Sequence, residues 1–183
     1  DKGKPRFSLV IERLDVRVTV DHDFATTEVD QTFVNPSSDT VEGIFSFRTP
    51  PGAVLSKFGV DRDGDVVWGK VKESAAAQQQ YESNVYQGST EDPALLSWAA
   101  PGTYNARLYP ITPGSKRRVV TRYAEWLTRQ GPKSDRRLYV YPMAAEGARA
   151  SLPRIEELRV TLDLAKSGAD KVRAGMNGRT EGK

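Results

Sequence analysis

Val41-Glu42-Gly43-Ile44-Phe45-Ser46-Phe47-Arg48-Thr49-Pro50-Pro51-Gly52-Ala53-Val54 is the stretch on which the fold turns. Ile44 to Phe47 reads as a strand. Pro50 and Pro51 stop it, because proline has no N–H to give to a ladder. Downstream, Val54 to Val60 and Val66 to Val71 flank Asp61-Arg62-Asp63-Gly64-Asp65. Asp-Gly is a favoured hairpin turn, since glycine tolerates positive φ. Lys72 to Val85 carries the helical signal. Ala77, Tyr81 and Val85 recur every fourth residue and share a face. Ser74 suits an N-cap and Gly88 a stop. Strand patterns resume at Leu95 to Ala99, Tyr104 to Ile111 and Arg118 to Leu127.

Upstream, Leu14, Val16, Val18 and Val20 alternate with Asp15, Arg17 and Thr19. That period of two gives one buried and one wet face. Val29, Gln31 and Phe33 follow an Asp21-His22-Asp23 turn, so a first hairpin is expected. Asn35-Pro36-Ser37-Ser38-Asp39 is the next turn. Near the other end, Leu138 to Tyr141 reads as a short strand, and Leu158, Val160, Leu162 and Leu164 alternate with polar residues. About ten short strands punctuated by turns predict a mainly β fold, an antiparallel β-sandwich with one inserted α-helix at about residues 72–86. The expected division is a domain over 1–130, a β extension packing on it over 131–175, and a flexible tail over 176–183.

Composition narrows the function. The 183 residues include 27 basic and 24 acidic side chains, a net charge of +3. That balance is too mild to argue for nucleic acid. Cysteine is absent, which removes disulfides, thiol nucleophiles and thiolate metal sites together. No run reaches the roughly 18 apolar residues of a membrane span. The chain opens on Asp1 rather than methionine, which reads as a processed or excised piece of a longer polypeptide.

Several motifs follow one another in a telling order. A strand of alternating apolar residues, Leu14 to Val20, leads to Phe33-Val34-Asn35-Pro36. Phe45-Ser46-Phe47-Arg48-Thr49-Pro50-Pro51-Gly52-Ala53 comes next. Lys72-Glu73 then precedes Ala77 and Tyr81, four apart. Ala94-Leu95-Leu96 opens a strand, and Ile111-Thr112-Pro113-Gly114 leads into Tyr123 to Leu127. Over roughly Ser8 to Leu127 this order resembles the vault protein inter-alpha-trypsin (VIT) domain, as in inter-alpha-trypsin inhibitor heavy chains and bacterial proteins that join it to a von Willebrand factor type A domain. The resemblance implies a non-catalytic module for protein–protein or matrix interaction in a larger secreted, periplasmic or cell-surface protein, with an adhesive role. It also implies a von Willebrand factor type A domain downstream. The Asp-x-Ser-x-Ser metal motif of that domain is absent from this sequence.

The residues offer few chemical alternatives. Asp61, Asp63 and Asp65 suggest a calcium loop, but an EF-hand needs glycine at its sixth position and glutamate at its twelfth. Those positions hold Val66 and Lys72. A looser cation site there stays open. His22 is the only histidine and lies in a turn, which suits solvent better than a catalytic triad. No catalytic, cofactor or metal residue is therefore expected. A carboxylate-based hydrolase stays open, because its acid pair needs no local motif. For binding, Trp68, Lys116, Arg117 and Arg118 are the candidates. Trp68 lies near a hairpin tip, where an aromatic face can anchor a partner or stack on a sugar. Lys116-Arg117-Arg118 reads as solvated strand residues or as a contact for an acidic glycan. Trp126 shares parity with Val120 and Ala124 and is expected in the core. The expected partner is a protein or a neighbouring domain of the same polypeptide. A carbohydrate-binding module is the alternative.

Overall fold

The structure, a computed structural model, describes residues 9–62, 64–73, 95–100, 102–131, 134–142, 154–176 and 179–181. The strands run β1 (Val10–Asp21), β2 (Phe24–Val34), β3 (Val41–Arg48), β4 (Val54–Arg62), β5 (Asp65–Trp68), β6 (Lys70–Glu73) and β7 (Leu95–Ala100). They continue as β8 (Thr103–Ile111), β9 (Lys116–Trp126), β10 (Thr128–Arg129), β11 (Arg137–Leu138), β12 (Ile155–Lys166), β13 (Ala174–Met176) and β14 (Arg179–Glu181). The protein is mainly β, with no helix among the described residues.

The larger sheet has the order β12-β1-β2-β9-β4-β5, and the smaller one β3-β8-β7-β6. The β1–β2 hairpin forms as the alternation predicts. His22 turns the chain at φ 54°, and Asp21 pairs with Phe24. Val16 and Val18 lose essentially all contact with water. Each such side chain contributes about 1.5–3 kcal/mol through burial. They belong to a cluster with Leu14, Val20, Ala25, Val29 and Tyr123 on one face of the large sheet. A second cluster joins the sheets. Phe45, Ala106, Leu108 and Ile111 of the smaller one meet Phe58, Val60 and Val119 of the larger. Phe33 touches both clusters.

Asn35 fixes the crossing between these sheets. Its Nδ2 donates to the carbonyls of Asp39 (2.7 Å) and Ile111 (3.0 Å). Its Oδ1 accepts from the Ser37 N–H (3.0 Å) and hydroxyl (2.7 Å). Its backbone is held by Ser115 and Gly114. One buried amide thus satisfies the β2–β3 turn and the end of β8 together, as buried polar groups must be.

Three expectations are corrected. The sheets are not wholly antiparallel: β12 joins β1, and β7 joins β6, as parallel pairs. The helix expected from residue 72 does not begin there. Lys72 and Glu73 close β6, where Lys72 pairs with Ser97. The rest of that helix, from Ser74 on, lies outside the described residues. The run from Val66 to Val71 is not one strand either. It breaks at Gly69, whose N–H donates to the Phe58 carbonyl (2.8 Å). β5 stays in the larger sheet and β6 enters the smaller.

Candidate functional site

Strand alternation decides which side chains meet on the outer face of the larger sheet. Directly opposed residues share a face, and residues two apart along a strand repeat it. One row crosses the sheet from Trp68 through Gly59, Val120, Asp30 and Asp15 to Arg159. Arg118, Arg122, Ala124 and Trp126 share that face with Val120. Val119, Thr121 and Tyr123 take the other and are buried.

Charges on this face are knitted together. Arg118 donates to Asp30 through Nε (2.9 Å) and Nη2 (2.8 Å), a bidentate pair. Its hydrogen bond to the Asp30 carboxylate holds the Arg118 guanidinium above its ordinary pKa. Arg13 reaches the same carboxylate at 3.6 Å. The Arg118 N–H donates to Asp61 Oδ1 (2.7 Å). Arg122 pairs with Glu28, its direct cross-strand neighbour. Lys116 Nζ lies 2.6 Å from Glu12. Asp15 is buried with Arg17 Nη2 3.7 Å from its carboxylate.

Two aromatic spots flank this ladder. Trp68 lies over Gly59, where a Cβ would come within 2.9 Å of its ring. Glycine is required there because the indole rests on the backbone itself. Lys57 Nζ sits 5.2 Å from the ring centroid, and 49% of Trp68 stays exposed. The second spot is Trp126, 73% exposed, with Phe24 edge-on at 5.1 Å and 68°. Val54, 68% exposed, lies opposite Ala124 beside it. Six residues of β9 separate the two rows, on the order of 20 Å at strand rise.

The structure places the residues singled out in the sequence as follows. Trp68, Lys116 and Arg118 share the outer face. Arg117 has the opposite parity and lies across from Phe33. Strand alternation therefore separates the basic triplet, and Lys116 and Arg118 are bound to carboxylates of the same chain. Trp126 is not in the core as expected. Its parity partners include Arg118 and Arg122 as well as Val120, and those charges mark the wet face. Nothing in the local sequence pattern singles out its neighbours Phe24 and Val54. Their signal lay in the β2–β9 and β4–β9 registers, which local pattern does not reveal. Asp61 is engaged by the Arg118 N–H, Asp65 is exposed, and Asp63 lies outside the described residues. His22 Nδ1 lies 2.7 Å from Asp21 Oδ1 in an exposed turn. Among the described residues no group of three potential ligands is placed to hold a metal.

The inner face carries a separate polar cluster. The Thr27 and Tyr139 hydroxyls lie 2.7 Å apart, beside Tyr123. Burial raises the pKa of Tyr139, and pushes Tyr141 up to about 12. Burial also raises the Glu125 carboxyl, whose Oε1 has no hydrogen-bond partner. The Arg137 guanidinium, hydrogen-bonded to Asp23 (2.6 Å), holds that carboxyl below its usual range. This second pair ties the β11 segment to the first hairpin.

Residues 11–123 match the vault protein inter-alpha-trypsin domain family. The chain belongs to that family. A von Willebrand factor A domain-containing protein of Dictyostelium discoideum is 30% identical over 83 residues, 45% of this chain and 9% of that protein. Among solved structures, an M1 zinc metallopeptidase from Deinococcus radiodurans aligns with a TM-score of 0.42 at 14% identity, covering 93% of this chain and 37% of its own. A variant of that enzyme bound to a Tyr-Ser-Ala substrate gives 0.40 at 17% identity, with the same coverage. The chain thus spans less than two-fifths of these relatives.

Proposed function

We propose that this chain is a non-catalytic β-sandwich interaction module that docks a neighbouring domain of its own, longer polypeptide, a von Willebrand factor type A domain. In this reading the docking surface is the outer face of the larger sheet. Trp126, Phe24 and Val54 form its apolar anchor, and Trp68 with Lys116 and Arg118 its polar flank. The observation that carries it is the family membership, together with a Dictyostelium relative named for a von Willebrand factor A domain. The physical support is the contiguous exposure of Trp126 and Val54. An exposed tryptophan packed against a second ring, beside paired charges, is the composition of an interface hot spot. The ion pairs favour specificity over affinity, because each is already satisfied within the chain. We extend the reading to a secreted, periplasmic or cell-surface protein, as the family resemblance implies.

Acrylamide quenching tests it. Every tryptophan other than Trp126, Trp68 and Trp98 among them, is replaced by phenylalanine so that Trp126 reports alone. Quenching is measured in this chain and in the complete polypeptide. Strong quenching in the former and protection in the latter supports docking on this face. Equal quenching in both would sink it.

A further inference from the structure

We propose that two copies of this chain pair through β12, antiparallel, joining their larger sheets into one. β12 is the edge strand of that sheet: β1 occupies one side, and no described strand occupies the other. Over twelve residues it contains neither proline nor glycine. Edges in soluble proteins are blunted by such residues, by short length, by bulges, by charged side chains or by a cover. The ladder of β12 slips only past Asp163, and its charges Glu157, Arg159 and Asp163 lie on one face, opposite an apolar stripe. Here Leu158, Val160 and Leu162 line one face and are left substantially exposed, Val160 at 48%.

The backbone leaves a matching set of groups. The Ile11 N–H donates to the Arg154 carbonyl at 2.9 Å, and Ile11 pairs with Ile155. In a parallel ladder the residues flanking the paired one make the bonds. Even-numbered residues of β12 therefore bond to β1. Glu157, Arg159, Thr161 and Asp163 turn their N–H and C=O groups to the open edge.

An antiparallel partner must pair odd with odd. Centring the two-fold axis on Thr161 sets Arg159 opposite Asp163 of the second copy, twice by symmetry. On the other face it sets Val160 opposite Leu162 and Leu158 opposite Leu164. Neighbouring registers are worse. Centring on Val160 opposes Glu157 to Asp163, centring on Leu162 leaves Arg159 opposite Ala165 with no charge partner, and centring on Arg159 opposes that residue to itself. Like charges directly opposite destabilise a sheet, and unlike charges support it. The strand is thus complementary to itself in one register, as a two-fold interface requires. The occupant of this edge is a second copy, held by about six main-chain hydrogen bonds and an apolar stripe.

Sedimentation equilibrium of the 183-residue chain over about 1 to 100 µM tests this. The expected species at the upper end has twice the 20.3 kDa mass of one chain. Thr161→Pro removes an edge N–H that β1 does not use, so the monomer should fold and dimerisation weaken by about 100-fold or more. Arg159→Asp and Asp163→Arg should each weaken self-association by about tenfold, and an equimolar mixture of the two should recover it. Circular dichroism confirms folding of each variant. Val160→Lys, at an exposed position, replaces Thr161→Pro if that variant does not fold. A monomer at every concentration overturns the proposal. So does a dimer indifferent to the edge substitution, or one that the mixed variants do not recover.

Discussion

Replacing Asn35 with alanine is expected to destabilise the protein by about 2.5–4.5 kcal/mol, and the figure follows from what the side chain holds. Asn35 is fully buried and makes four side-chain hydrogen bonds. Three of these reach Ser37 and Asp39, which are near water and can be rehydrated. Their loss costs about 0.5 kcal/mol each, the low end for a neutral bond. The fourth partner, the Ile111 carbonyl, sits at the junction of the sheets beside a fully buried side chain. Without a donor it bears a desolvation penalty of about 1–3 kcal/mol. For a chain of this size the total lowers Tm by roughly 5–18 °C. Urea unfolding followed by far-UV circular dichroism measures it. The midpoint should fall while the m-value stays constant. Asn35→Asp should be worse at neutral pH, because a carboxylate would face two carbonyl oxygens. A cost below about 0.5 kcal/mol for the alanine variant would refute the assignment of Asn35 as the tie between the sheets.

Other perturbations report on different parts of the molecule. Gly59→Ala places a Cβ 2.5 Å from Val66 Cγ1 and 2.9 Å from the Trp68 ring, so it should destabilise by about 1–3 kcal/mol and shift Trp68 fluorescence. Glu125→Gln should raise Tm at neutral pH. The folded pKa of Glu125 is raised by burial, so the penalty exists while the group is ionised and fades as pH falls through that value. The gain from glutamine should accordingly vanish in acid, and a pH-independent gain would count against it. Asp23 has the opposite sign: its lowered pKa supports folding above the usual carboxylate range and is lost as pH falls below it. Arg137→Ala should let Asp23 titrate nearer 3.8 by carboxyl NMR. Arg118→Ala should cost about 1–2 kcal/mol by thermal melting, since the pair with Asp30 is bidentate but partly screened by solvent.

The legible parts of this fold were those written in local alternation. Leu14 to Val20 declared both a strand and its buried face, and Asp21-His22-Asp23 declared the hairpin. Asn35 was legible as a turn residue, but not as the group that caps Ile111, 76 positions away. Alternation alone does not say which of two faces is wet when both carry apolar residues. That is why the local pattern misplaces Trp126: Val120 and Ala124 suggest a core, while Arg118 and Arg122 at the same parity mark the outer face. Strand partners are equally silent in the sequence. Nothing local to Leu158–Leu164 shows that the strand adds in parallel beside β1. The break at Gly69 was hidden because apolar residues lie on both sides of it. The Phe24–Trp126–Val54 patch arises only when three strands separated in sequence come into register.

The most direct test of the account titrates this chain into the von Willebrand factor type A domain proposed as its neighbour, expressed separately, by isothermal calorimetry. Wild type should bind with a negative heat-capacity change, the mark of apolar burial. Trp126→Ala, at a position 73% exposed in this chain, should weaken binding by tenfold or more while leaving Tm essentially unchanged. Binding unaffected by Trp126→Ala, or no binding at all, would contradict the claim that this face is where the module meets its neighbour.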